Sequence, residues 1–108
     1  MIEATPLNRA ALEAHPLPPI ENDDKHARGR LLIVAGSRSL PGGALLCALA
    51  AMRAGTGKLQ IATVKSVAAH VGIAMPESRT VGLDEDDAGG IAASGVGAIA
   101  ELASDVGA

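Results

Sequence analysis

The sequence predicts an α/β fold built on a parallel sheet, and three observations carry that reading. Residues 31–35, LLIVA, form a continuous apolar run closed by Gly36, the pattern of a strand covered on both faces. Residues 44–54 are apolar almost all round, as a buried helix is. Residues 58–64, KLQIATV, alternate Leu59, Ile61 and Thr63 with Gln60, Ala62 and Val64, a strand period. Strand, helix, strand in that order is a βαβ unit, with parallel strands and a right-handed crossover.

The elements follow in order. Residues 1–24 are a lead-in, with a short helix expected over 7–14, then HPLPP, whose prolines favour an extended path, then ENDD. His15 adjoins those prolines and has no partner at ligand spacing, so it is read as a surface residue. Residues 25–108 read as the amino-terminal part of an α/β domain, entered through the basic segment DKHARGR. The helix over 44–54 has clear ends: Ser39 is suited to cap it, Pro41 to its first turn, and Arg53 with Gly55 to its carboxyl end. Leu45, Leu49 and Met52 make one apolar stripe and Leu46 with Ala50 a second, so Cys47 is expected to be buried among them.

A shorter helix over 66–71 starts at Ser66, stops at Gly72 and buries Val67, Ala68 and Val71, leaving His70 as a solvent or helix-end residue rather than a catalytic base. Residues 80–83 suit a short strand. DEDD at 84–87 is read as a solvated acidic loop, since consecutive acids on an extended turn do not converge on a cation. Residues 91–103 form the last helix, with Val96, Ile99 and Leu102 on one face and glycine at closely packed points. In an α/β protein a further parallel strand follows such a helix, so the chain is expected to be the first part of a larger domain.

Composition narrows the function classes. The 108 residues are 48% apolar and 19% charged, with a net charge of -3 and no Phe, Tyr or Trp, so the core must be built from Ala, Leu, Val and Ile. A mildly acidic chain without aromatics lacks the basic footprint and stacking platforms of a nucleic-acid binder. The lone Cys47 cannot form an intrachain disulfide, and the amino terminus has no continuous apolar h-region. The expectation is a cytoplasmic protein with no nucleic-acid partner and no membrane span.

The most informative stretch is GSRSLPGGA, residues 36–44, between the first strand and the first buried helix. A glycine at the strand end and two at the helix start either let an anionic ligand approach backbone N–H groups or only permit a sharp turn and close packing. The stretch is not a P-loop, because it lacks the Lys and Ser or Thr of that motif.

RGR before the strand, the AGS turn, PGGA, RAGTG at the helix end with its following strand, and the pair Pro76 and Glu77 occur in order over residues 24–105. In that order the sequence resembles the amino-terminal part of ADP-dependent NAD(P)H-hydrate dehydratases, of the ribokinase-like superfamily. The resemblance implies a three-layer α/β/α sandwich, here incomplete. It implies dehydration of NADHX and NADPHX, the hydrated nicotinamide cofactors, with ADP consumed and AMP and phosphate released. Phosphoryl transfer to the hydrate hydroxyl precedes elimination of phosphate, and Mg2+ is a candidate companion of the ADP. By resemblance Gly36, Ser37, Gly42 and Gly43 are the candidate substrate contacts, Gly43 standing where the family usually carries alanine.

The resemblance also implies a GPGLG-type loop, an HPGE-type motif and a GSGD-type motif holding the anion hole and catalytic aspartate. None occurs in this sequence. His15 and Asp105 do not match them, so no catalytic residue is assigned and the chain alone is expected to be inactive. Two alternatives stay open: another ribokinase-like small-molecule kinase, and a non-catalytic interaction module whose sheet edge pairs with another chain. An unpaired edge and a thin core also lead to an expectation of self-association.

Overall fold

A computed structural model of the protein describes residues 3–16 and 29–106. The expected extended path after Pro16, the basic run up to Arg28 and the boundary between lead-in and domain lie outside those residues. Helix α1, Arg9–Glu13, is shorter than the expected 7–14 because Asn8 caps it, accepting a 2.9 Å hydrogen bond from the Ala11 N–H.

Strands β1 (Arg30–Val34), β2 (Lys58–Val64) and β3 (Arg79–Leu83) form one parallel sheet in the order β1-β2-β3. Between them run α2 (Gly42–Arg53) and α3 (Lys65–Ala74), and after β3 come a tight turn, Ala93–Gly95, and α4 (Val96–Ala103). Register pairs Ile33 with Ile61 and Ile61 with Thr80, which puts Leu31, Ile33, Leu59, Ile61, Thr63, Thr80 and Gly82 on one face. That face receives α2 and α3: a Cβ at Gly82 would touch Lys65 and Ala68, and one at Gly36 would touch Ala44. Gln60 and Val81, on the opposite face, line a cavity with Ala98 and Leu102 of α4. The result is three layers, α/β/α, with Arg30 and Asp105 joined at 3.1 Å where α4 ends beside the start of β1.

Two burial expectations are reversed. The continuous run was expected to be covered on both faces, yet β1 is only half-buried and Val34 is 40% exposed. It is an edge strand, and the face bearing Val34 is not the one on which α2 packs. The alternating strand, β2, is instead the central one and is buried from Leu59 to Val64, including Gln60 and Thr63. Alternation here reflects chemistry rather than exposure.

The second reversal concerns α2. It was expected to bury its leucines and Cys47; it buries Ala44 and Ala48, while Leu46 is 71% exposed and Cys47 is exposed. Small side chains at positions four apart let the helix axis approach Ile61 and Leu59 closely; Leu46 and Leu49 then point away, while Leu45 stays half-buried against the core. Cys47 is therefore expected to react with a thiol reagent in the native protein as readily as in denaturant. Protection that denaturant relieves would show that the outer face of α2 is covered in solution.

Local boundaries shift for identifiable reasons. No side chain caps α2, so Ser39 does not act as its cap; Pro41 holds that position and the helix begins at Gly42. Helix α3 begins at Lys65, so Ser66 lies inside its first turn rather than capping it, and the helix runs through Gly72 to Ala74. Gly72 does not stop it but sits against β3, where a Cβ would lie 3.2 Å from Thr80 Oγ1. The last helix is shorter than 91–103, and Val96 is 61% exposed rather than on its packed face. Gly95 is buried against Ile91 and Leu83, the close packing expected of glycine there, but Gly97 has open space around it.

Candidate functional site

The carboxyl ends of parallel strands are where open α/β sheets place ligands. Here those ends carry the turn after β1, the start of α3 after β2, and the acidic loop after β3. The first turn is set by Gly36, whose φ of +91° is left-handed. A Cβ there would lie 2.6 Å from Thr63 Oγ1, so glycine is required both by conformation and by space. Beyond it Leu40 N–H donates to Ser37 Oγ and Ser37 O, each at 3.2 Å, closing the turn.

The four sequence-predicted residues Gly36, Ser37, Gly42 and Gly43 thus fall on one turn and the first turn of α2. Gly36 and Ser37 are half-buried, and Gly42 and Gly43 exposed. A Cβ at Gly42 or Gly43 would meet nothing within 4 Å, so these two are not packing glycines. Among the described residues no side chain caps α2 and no hydrogen bond engages their N–H groups, which lie at the positive end of the helix dipole. Beneath the turn, Thr63 is 0% exposed and its hydroxyl has no hydrogen-bond partner among the described residues.

The acidic loop is not simply solvated, as had been expected. Glu85 turns inward, its side chain 8% exposed, and accepts from Ser66 N–H at 2.6 Å and Arg38 Nε at 3.0 Å. Hydrogen bonding from Ser66, aided by the Arg38 guanidinium, holds its carboxyl below the usual glutamate range. Asp86 accepts from Gly90 N–H, and Asp84 meets Ser94 at 3.1 Å and Lys65 at 3.9 Å. These carboxylates serve loop donors, and no group of three His, Cys, Asp or Glu converges among the described residues. Sequence reasoning passed over Thr63, Arg38 and Glu85. The signal available was position, since each stands at or just past the carboxyl end of a strand.

A family model described as NAD(P)H-hydrate dehydratase matches residues 31–100, from β1 into α4. The chain belongs to the NAD(P)H-hydrate dehydratase family. It is 52% identical over 82 residues to an ADP-dependent (S)-NAD(P)H-hydrate dehydratase of Xanthomonas campestris, covering 76% of this chain and 28% of that protein. It is 39% identical over 88 residues to a bifunctional NAD(P)H-hydrate repair enzyme of Thermofilum pendens, covering 81% of this chain and 17% of that one. A Bacillus subtilis ADP-dependent (S)-NAD(P)H-hydrate dehydratase is 44% identical over 54 residues, half of this chain and 20% of its own length. The chain thus spans under a third of the length of each of these relatives. Its α/β architecture is that of the ribokinase-like fold expected for the family, with three strands present, and the GSRSLPGGA turn lies inside the matched region.

Proposed function

We propose that this member of the NAD(P)H-hydrate dehydratase family serves nicotinamide cofactor repair, contributing the substrate-contacting turn for NADHX or NADPHX. The observation that carries this reading is the uncapped start of α2. Among the described residues Gly42 and Gly43 there present N–H groups with no hydrogen-bond partner and open space around them, and the buried Thr63 hydroxyl under Gly36 also lacks a partner. Such a helix start receives a phosphate of a dinucleotide, with Gly36 and Ser37 shaping the approach. In the overall reaction ADP donates its terminal phosphoryl group to the hydrate hydroxyl, AMP leaves, and elimination of phosphate restores the dihydronicotinamide. The anion hole and catalytic aspartate belong to motifs this sequence does not contain, so the chain binds and orients but does not eliminate.

The acidic loop does not fit Mg2+, because no three potential ligands converge among the described residues and Asp84, Glu85 and Asp86 already serve Ser94, Ser66, Arg38 and Gly90. No step is drawn through that ion. The cytoplasm is the proposed compartment, and no helix among the described residues is long and apolar enough to cross a membrane.

The test is titration with NADPHX, followed by addition of ADP. Weak binding without return of NADPH absorbance is expected; conversion by this chain would overturn the assignment of the elimination to absent motifs. Gly43→Asp is the sharper probe. A Cβ at position 43 meets nothing within 4 Å, and a carboxylate suits a helix start, so folding should be unchanged or slightly improved. The same charge would repel the phosphate, and affinity should fall about tenfold or more. Unaltered NADPHX affinity would remove the turn from the site.

Self-association is proposed as well, through the apolar groove of Leu45, Leu46, Leu49 and Met75 or through the open sheet edges. Sedimentation across a concentration series checks it, and a monomer at all concentrations would remove it.

A further inference from the structure

Glu85 links three segments that are remote in sequence. Its Oε1 accepts from Ser66 N–H at the start of α3, 2.6 Å away, and its Oε2 accepts from Arg38 in the turn after β1, 3.0 Å away. The link is reinforced by the backbone. Arg38 N–H donates to Gly89 O at 2.8 Å, Glu85 itself bridges to Ile91, and a Cβ at Gly89 would lie 2.9 Å from Arg38 Cβ. Arg38 therefore lies flat on the acidic loop, with its guanidinium turned onto a carboxylate that is mostly shielded from water. A charge-assisted hydrogen bond in that setting is stronger than one at an open surface.

We propose that Glu85 is a positioning residue for the substrate-contacting turn: by tying Arg38 to the start of α3, it holds residues 36–43 in the shape that presents the Gly42 and Gly43 N–H groups. The proposal rests on the reading of that turn as the NADPHX contact. Nothing places Glu85 itself against substrate, since both its oxygens face inward to protein donors. The charged groups around it are Arg38 from the turn, Lys65 on α3, and Asp84 and Asp86 on either side in the loop.

The experiment follows amide hydrogen exchange at Arg38 and Leu40, with Ile61 in the central strand as an internal reference, alongside NADPHX titration. In Glu85→Gln, exchange at Arg38 and Leu40 should rise about tenfold or more while Ile61 is unchanged, and NADPHX affinity should fall in parallel. Arg38→Gln, which breaks the link from its exposed end, should reproduce both effects, and the double variant should add little to either single one. In the parent, exchange corrected for its intrinsic rate should rise as the pH drops through the lowered Glu85 value, and Glu85→Gln should lack that step. Unchanged exchange in both variants overturns the link. A loosened turn with unaltered NADPHX affinity overturns the positioning role. Failure of the parent to bind NADPHX at all overturns the functional reading beneath the proposal, and is distinguishable because the exchange response would remain.

Discussion

Gly36→Ala is expected to lower the urea midpoint of the protein more than any other single methyl addition. Two costs combine at this position. A φ of +91° is strained for any side chain, worth about 1–3 kcal/mol. The new methyl would lie 2.6 Å from Thr63 Oγ1, on a central strand that cannot retreat, and overpacking of this kind costs about 1–3 kcal/mol more. Against a total stability of about 5–15 kcal/mol for an ordinary domain, the sum is a large fraction. Adding Thr63→Ala should recover the steric part and leave the backbone part, so the double variant should fall between parent and Gly36→Ala. A midpoint for Gly36→Ala close to the parent's would mean that the turn is not held in this conformation in solution.

How much of this was legible in the sequence depends on which physical property a residue reports. The order of strands and helices was legible because apolar periodicity reports local geometry directly, as in Lys58–Val64, which pairs in parallel with β1. Which apolar residues lie inside was not legible on α2, because hydrophobicity ranks leucine above alanine while close approach of a helix to a sheet requires the smaller residue. Nor does a continuous apolar run reveal whether its strand is central or at an edge, which is why β1 and β2 exchanged their expected burial. The turn residues were legible by type, since glycine at a strand end and at a helix start has few uses. Their partners were not. Thr63 is separated from Gly36, and Glu85 from Arg38, by long stretches of chain, and only the parallel stacking of three strands brings their carboxyl ends together.

The burial of α2 leads to the second large expected effect, in which the usual ranking of substitutions is inverted. Ala48 is 0% exposed and packs with Ala44 in the cluster that contains Leu59 and Ile61. Ala48→Leu adds three carbons where the helix already touches the sheet, so it must displace α2 or force side chains off their rotamers, at about 1–3 kcal/mol or more. Leu46, by contrast, is 71% exposed. Leu46→Ala removes the same three carbons from a surface position and places the best helix former there, so its effect should stay within about 0.5 kcal/mol. Denaturation midpoints of the two variants decide the matter. Loss on enlarging the alanine with no loss on truncating the leucine establishes the orientation of α2. If Leu46→Ala instead costs what a buried leucine does, about 2–5 kcal/mol, the outer face of α2 is covered in solution. A cost that then fades on dilution would identify a second copy of the chain as the cover, because stability drawn from association depends on protomer concentration while stability drawn from within the fold does not.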